Sequence, residues 1–168
     1  MGNGIVTEWN GAAYGGLKKL KGKGEKMKIK FKKLIDGAVA PKQGSATAAG
    51  FDLTATSKRW NRKFSVWEYG TGIAVEIPEG YAGFIFPRSS VFKTGLTLTN
   101  CVGVIDSDYR GEIMAKFADT YLDDGEEYHV GDRIGQMIIL EVPKVEYVEA
   151  DELSVTERGA GGYGSTGK

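Results

Sequence analysis

A single cysteine, Cys101, excludes an intrachain disulfide and suits a reducing compartment. A single histidine, His129, leaves both Ser–His catalysis and a histidine-rich metal site without support. It stands just before a Val-Gly-Asp turn, where a surface position is expected. Net charge is also lacking. The 22 Lys and Arg balance 22 Asp and Glu, so neither nucleic acid nor a membrane surface is an expected partner. No apolar run approaches the roughly 20 residues of a transmembrane helix. The N-terminus has no apolar h-region of the secretory type. No glycine loop of the Walker type occurs, which excludes a P-loop site.

What is present suits one β-rich domain. The chain has 168 residues, enough for one sizeable core. Residues 1–26 are rich in Gly and Lys without a sustained period, and are expected to form a flexible extension, with Met27 as a natural start. From Met27 onward the signals are mostly strand, and no long helical period occurs. "MKIKFKKL" places Met27, Ile29 and Phe31 on one face. "AGFDLTAT" is a short strand. "GIAVEIPEGYAGFIFPRSS" is two strands around a Pro-Glu-Gly turn. "LTLTNCVGVID" alternates, "GEIMAKFADT" follows, and "RIGQMIILEV" predicts a strand buried on both faces. Many short strands at close spacing predict a sandwich or barrel. The expected organisation is a body over 27–143 and a charged arm over 144–168 that ends in a Gly-rich lid.

Chemistry concentrates in a few places. In "GVIDSDYRGE", Asp106 follows an apolar pair, where a strand emerges into a turn, and a carboxylate held there could accept a proton from water. Asp106 and Asp108 are equally good turn formers, and Tyr109 an ordinary packing residue. In "PRSS", Arg88 offers a guanidinium fork for phosphate oxygens, and Ser89 and Ser90 add donors. Asp52 in "AGFDL" sits between apolar neighbours, so it needs a partner or a nearby cation. Gln136 in "GDRIGQMI" is either a satisfied core group or a ligand contact. The tail "RGAGGYGSTGK" buries almost nothing, yet carries Arg158, Tyr163, Ser165 and Thr166 among five glycines. Such a segment is either a disordered end or a loop that folds over a phosphorylated ligand.

These five segments, in this order, resemble the motifs of the trimeric deoxyuridine triphosphatases (dUTPases). "AGFDL" looks like the first, "PRSS" the second, "GVIDSDYRG" the third, "GDRIGQ" the fourth and "RGAGGYGSTG" the fifth. The match runs from Met27 to Lys168. The resemblance implies an all-β fold, a jelly-roll-like β-barrel with a flexible C-terminal arm. It implies a homotrimer whose active sites are shared between subunits, in the cytoplasm, or the host cytoplasm for a viral chain.

It further implies hydrolysis of dUTP to dUMP and pyrophosphate, which limits uracil in DNA and supplies dUMP for dTMP synthesis. Asp106 would activate the water that attacks the α-phosphorus. Tyr109 would pack on the deoxyribose, and Asn100 with Gly103 and the hairpin backbone would read the base. Arg88, Ser89, Ser90 and Gln136 would serve the phosphates. Asp52 would act through water on a Mg2+ bound to the triphosphate. Arg158, Gly164, Ser165 and Thr166 would close over the γ-phosphate, with Tyr163 on the uracil ring.

Three positions depart from the family pattern: Ser90 replaces a frequent Gly, Gly135 a usual Ala, and Tyr163 a usual Phe. None removes a needed functional group. Other functions compete, a bifunctional enzyme being the smallest of them. A dCTP deaminase shares the fold but needs a Glu-centred site, whereas the third motif here has Asp106 with Tyr109. A nucleotide-dependent regulatory protein could keep the fold, although an intact Asp106 argues against loss of catalysis.

Overall fold

The computed structural model describes residues 26–120, 125–162 and 164. The described part is built from strands: β1 Lys30–Lys33, β2 Lys42–Gln43, β3 Phe51–Thr54, β4 Ser57–Asn61, β5 Val66–Gly70, β6 Ile73–Glu76, β7 Tyr81–Phe86, β8 Leu96–Leu98, β9 Gly103–Ile105, β10 Met114–Asp119 and β11 Arg133–Glu141. The one helical element among the described residues is a 3₁₀ turn over Ser89–Lys93.

All pairings are antiparallel, and the strands form three sheets, ordered β1-β6, β4-β5-β10-β8 and β2-β3-β11-β7-β9. Most neighbours are distant in sequence, as in a jelly roll. The all-β, jelly-roll-like expectation holds, but the barrel does not close, because these sheets stay separate among the described residues. Two apolar clusters fill the interior. One centres on Leu53, Ile73, Val75, Ile85, Ile113 and Met137. The other holds Leu96, Leu98 and Ile134 around Tyr69, Phe117 and Tyr128, whose rings meet edge to face at 5.6–6.1 Å.

Local pattern and final pairing part company at several points. The two strands around Pro-Glu-Gly exist, but β6 pairs with β1 while β7 pairs with β9 and β11. Gly80 takes φ +83° in that turn, and its carbonyl accepts the Val142 N–H at 2.8 Å. The run "LTLTNCVGVID" breaks at 99–102, so β8 and β9 enter different sheets. β11 is buried at Ile134, Gly135 and Met137, but its far end is open, with Leu140 46% exposed. The register explains the difference. β3 covers only the first part of β11, and from Ile138 onward β7 is the one neighbour among the described strands. Residues 57–70, which the alternation above does not single out, form the β4–β5 hairpin. Asn61 Oδ1 accepts the Lys63 and Phe64 N–H groups in its turn at 3.1 and 3.4 Å.

Glu68 on β5 is a buried carboxylate, 4% exposed. Cross-strand register sets it opposite Arg59 on β4 and Lys116 on β10. Its Oε1 accepts Asn61 Nδ2 at 3.0 Å and Lys116 Nζ at 3.1 Å, and its Oε2 accepts Arg59 Nε at 3.1 Å and the neighbouring Arg59 Nη2. These donors, Asn61 first and then Arg59 and Lys116, hold its carboxyl at about 2, below the ordinary 4.5. A depressed carboxyl pKa stabilises the fold above the unfolded value, and that stability is lost as pH falls from about 4.5 toward 2. Urea unfolding midpoints measured across this window should therefore fall less steeply for Glu68→Gln than for the wild type. Parallel pH profiles would show that the ladder carries no linked stability.

Candidate active site

Two clusters of polar groups lie on the five-stranded sheet, and the topology explains each. The first surrounds β9. Cys101 N–H donates to the Leu98 carbonyl at 3.0 Å, and Val102 N–H reaches back to the Asn100 carbonyl at 2.5 Å. The result is a γ-turn centred on Cys101, which has φ +58° without being glycine. Asn100 is exposed beside it. Behind the turn lies a pocket of about 310 Å³ walled by Asn100, Gly103, Thr99, Met114, Lys116 and Leu98. A Cβ on Gly103 would stand 3.2 Å from Ile85 Cβ and 3.5 Å from Asn100 Nδ2, so a side chain there would crowd the wall.

At the other end of β9 stands Asp106. It is exposed, and among the described residues its carboxylate has no hydrogen-bond or ion-pair partner. Tyr109 N–H donates to the Asp106 carbonyl at 3.2 Å. Arg110 Nη1 braces the turn through the Ser107 and Tyr109 carbonyls at 2.7 and 2.9 Å. Tyr109 Oη donates to the Glu112 carbonyl at 3.1 Å, which lays its ring against Gly111. A Cβ at position 111 would lie 2.4 Å from that hydroxyl, so the glycine is what lets the ring settle. Asp106 and Tyr109 thus share one braced turn with a free carboxylate and a half-open ring.

The second cluster is cationic. The register aligns Asp52 on β3, Gln136 on β11 and Phe86 on β7 in one row. Asp52 lies between two guanidiniums, accepting from Arg133 Nη1 at 2.9 Å and facing Arg88 Nε at 3.6 Å. Gln136 Nε2 donates to the Pro87 carbonyl at 3.3 Å. Ser89 is exposed and Ser90 half-buried on the 3₁₀ turn that follows Arg88. Two guanidinium forks, a geometry suited to phosphate oxygens, flank the carboxylate of Asp52, and Lys93, Glu126, Glu127 and Asp132 line the cleft that both arginines share. Arg133, which the sequence reasoning passed over, is the closest partner of Asp52; its place inside "GDRIGQ" was the available signal.

The two clusters do not meet within one chain. Ile105 pairs with Gly83, whereas Gln136 pairs with Phe86 on the same β7. At about 3.4 Å per residue and about 4.8 Å per strand, Asp106 stands roughly 15 Å from the Gln136 row. That exceeds the reach of a general base acting directly or through one water.

Beyond β11, residues 142–160 have no regular structure and are exposed throughout, Tyr147 at 97% and Val155 at 98%. Arg158 is exposed, and its Nε donates to the Gly161 carbonyl at 2.9 Å. Gly164 has φ +88°. Tyr163, Ser165 and Thr166 lie outside the described residues, as does all but the last residue of the 1–26 extension.

Fold and surface groups together define a jelly-roll-like β protein with an anion-suited arginine pair and a separate small pocket. The sequence profile of the dUTPase family matches residues 36–167. The deoxyuridine 5'-triphosphate nucleotidohydrolase of Nautilia profundicola is 46% identical over 147 residues, covering 84% of this chain and 100% of that protein. The enzyme of the same name from Hydrogenobaculum sp. is 46% identical over 144 residues, covering 84% and 99%. Among solved structures, the Staphylococcus bacteriophage 80alpha dUTPase with dUPNHPP is similar at a TM-score of 0.69 and 26% identity, covering 84% of this chain and 99% of that one. A mutant dUTPase of phage phi11 of S. aureus, described with a structural Mg(II) ion, shares the fold at a TM-score of 0.64 and 22% identity, covering 75% and 98%. The chain belongs to the dUTPase family.

The γ-turn gives a direct check on the base-side geometry. A β-branched residue at positive φ costs about 1–2 kcal/mol, whereas glycine adopts it freely. Cys101→Val should be about 1–2 kcal/mol less stable than Cys101→Gly in urea titration, with wild type between them. Equal stability of Cys101→Val and Cys101→Gly would contradict the turn.

Proposed function

We propose that the chain hydrolyses dUTP to dUMP and pyrophosphate by attack of water on the α-phosphorus. The observation that carries this is the free carboxylate of Asp106, on a braced turn that also holds Tyr109, in a chain of the dUTPase family. Asp106 takes a proton from the water as the new O–P bond forms. The bond from the α-phosphorus to the bridging oxygen breaks, and pyrophosphate leaves. Tyr109 packs against the deoxyribose and excludes a 2′-hydroxyl. Asn100 and Gly103 face the base. Arg88, Ser89, Ser90 and Gln136 receive the phosphates. Arg158, Gly164, Ser165 and Thr166 fold over the γ-phosphate, with Tyr163 on the base, so that the arm acts as a lid. In the cell this limits uracil in DNA and supplies dUMP for dTMP synthesis. The expected place is the cytoplasm, or the host cytoplasm for a viral chain. No helix among the described residues is long and apolar enough to cross a membrane.

The donor set fits magnesium that arrives with the triphosphate. No group of three or more His, Cys, Asp or Glu among the described residues could hold a metal ion by itself. Asp52 is already engaged by Arg133 and faces Arg88, so its remaining capacity suits a metal-bound water. When bound, Mg2+ supplies charge neutralisation across the phosphates while keeping most of its waters.

The separation of Asp106 from Arg88 and Gln136 supports a homotrimer whose sites draw on several subunits. Two surfaces support it further. The arm over 144–157 is acidic, through Glu146, Glu149, Asp151, Glu152 and Glu157, and exposes Leu153 at 88%. Among the described residues strand β1 pairs on one edge, and it carries Lys30, Lys32 and Lys33 and leaves Phe31 46% exposed. In this reading 27–143 is the body, 144–168 the arm and lid, and 1–26 an extension outside the catalytic unit.

Two measurements test the proposal. Asp106→Asn should keep dUTP binding and lose about 10²–10⁴-fold in kcat, the range of general-base contributions; near-normal turnover would sink the assignment. Mixing Asp106→Asn protein with protein truncated at residue 157, under conditions of subunit exchange, should restore activity that neither has alone. Failure despite demonstrated exchange would place the complete site in one chain.

A further inference from the structure

Glu112 ties the turn of Asp106 and Tyr109 to the body, and the proposed hydrolysis gives its side chain no part. The half-buried side chain crosses to the corner between β5 and β6, where its Oε1 accepts the Gly72 N–H at 2.8 Å. The corner is shaped to receive it. A Cβ at Gly70 would stand 2.5 Å from that same oxygen, so glycine there leaves the carboxylate its path. Gly72 takes φ +66°, and its carbonyl accepts the Leu34 N–H at 2.8 Å, which holds it from the other side. The next residue, Ile113, is wholly buried and bonds to both flanks of the corner. Its carbonyl accepts the Thr71 N–H at 3.2 Å and the Thr71 hydroxyl at 2.7 Å, and its N–H donates to the Ile73 carbonyl at 2.8 Å. On this stitched segment rests the Tyr109 hydroxyl, which donates to the Glu112 carbonyl at 3.1 Å. No other hydrogen bond holds the Tyr109 side chain among the described residues, and the residue is 43% exposed.

We propose that Glu112 is a positioning residue for sugar choice: by binding the Gly72 N–H, its side chain fixes the carbonyl on which the Tyr109 hydroxyl rests, and with it the ring that meets the deoxyribose. The inference rests on the dUTPase reading of Tyr109. The carbonyl in question lies in the peptide between Glu112 and Ile113. The Ile113 N–H anchors one end of that peptide on Ile73, and the Glu112 side chain anchors the other end on Gly72. Two anchors leave the carbonyl one direction, and the ring one place. A wall that must separate a hydrogen from a hydroxyl at C2′ has to be held to well under about 1 Å. Glu112 has no ion-pair partner among the described residues, so the Gly72 N–H asks it for an acceptor atom and not for a charge. Glutamine offers such an oxygen on a stem of the same length. Arg110 and the Tyr109 N–H brace the Asp106 end of the turn by separate bonds, so Asp106 does not depend on Glu112.

The test is steady-state kinetics of the full-length chain with magnesium, using dUTP and UTP as probes, for wild type, Glu112→Met, Glu112→Gln, Tyr109→Phe and the double variant Glu112→Met with Tyr109→Phe. Glu112→Met keeps the length of the stem and the backbone carbonyl and removes the acceptor. It should narrow the dUTP-over-UTP preference in kcat/KM on the order of three- to tenfold, the weight of one hydrogen bond. The change should fall in KM, with kcat for dUTP within about twofold of wild type. Glu112→Gln should keep the preference, because the acceptor stays. Tyr109→Phe breaks the same link from the ring side, so the double variant should lose no more preference than the larger single loss. Should Glu112→Met not fold, Glu112→Asp, whose carboxylate is one methylene short of the Gly72 N–H, carries the same expectation and the same refutation. A wild-type preference in Glu112→Met, or an equal fall in kcat/KM for both nucleotides, would reduce Glu112 to a structural tie and overturn the inference while leaving dUTP hydrolysis standing. Additive losses in the double variant would overturn the route through Tyr109. Absence of dUTP turnover in the wild type would overturn the dUTPase reading and this inference with it.

Discussion

Strand β11 is gripped by β3 along one edge and by β7 along the other, and the cationic cluster exists because of that double register. Asp52, Gln136 and Phe86 come from segments 34 to 84 residues apart, yet they stand in one row. A slip of one residue would turn Gln136 to the opposite face and bring Met137 out of the core. Glycine makes the close approach possible. A Cβ at Gly50 would stand 2.7 Å from Gln136 Oε1, and one at Gly135 would stand 3.1 Å from the Phe86 carbonyl. The same β7 carries β9 on its other edge, so Asn100 and Asp106 are positioned by the strand that leads into Arg88.

A consequence of this sheet is that the Arg88 cluster and the Asp106 turn lie toward opposite ends of β7. β9 runs antiparallel to β7, so the chain that places Arg88 past one end of β7 places Asp106 toward the other. The proposed site, which needs both ends, would be completed by a second copy more readily than by bending a five-stranded sheet. In the proposed reading the arm, acidic and tied to the body through the Lys144–Glu79 ion pair at 2.7 Å, and β1, basic and paired along one edge among the described residues, fit the same need.

Much of the strand content was legible because alternation is local. Phe51–Thr54, Tyr81–Phe86, Met114–Asp119 and Arg133–Glu141 all fall within runs that the pattern of side chains marked. The β4–β5 hairpin was missed because its outward face carries Arg59 and the buried Glu68, which breaks the expected polar-exposed rule. The break between β8 and β9 was missed because alternation continues through the turn at 99–102. The candidate site was legible as five short segments carrying chemistry. Arg133 was not, because its meaning comes from a partner on another strand.

The sequence by itself determined an all-β chain, the identity of the segments that carry chemistry, and the family they resemble, because residue type and short-range spacing hold that information. Only the tertiary structure decided which strands share a sheet, that β6 and β7 part after their turn, that Asp52 lies between two arginines, and that Glu68 is paired with Arg59 and Lys116. Those outcomes depend on antiparallel pairings between residues distant in the chain, and no local period records which distant partner a strand will take.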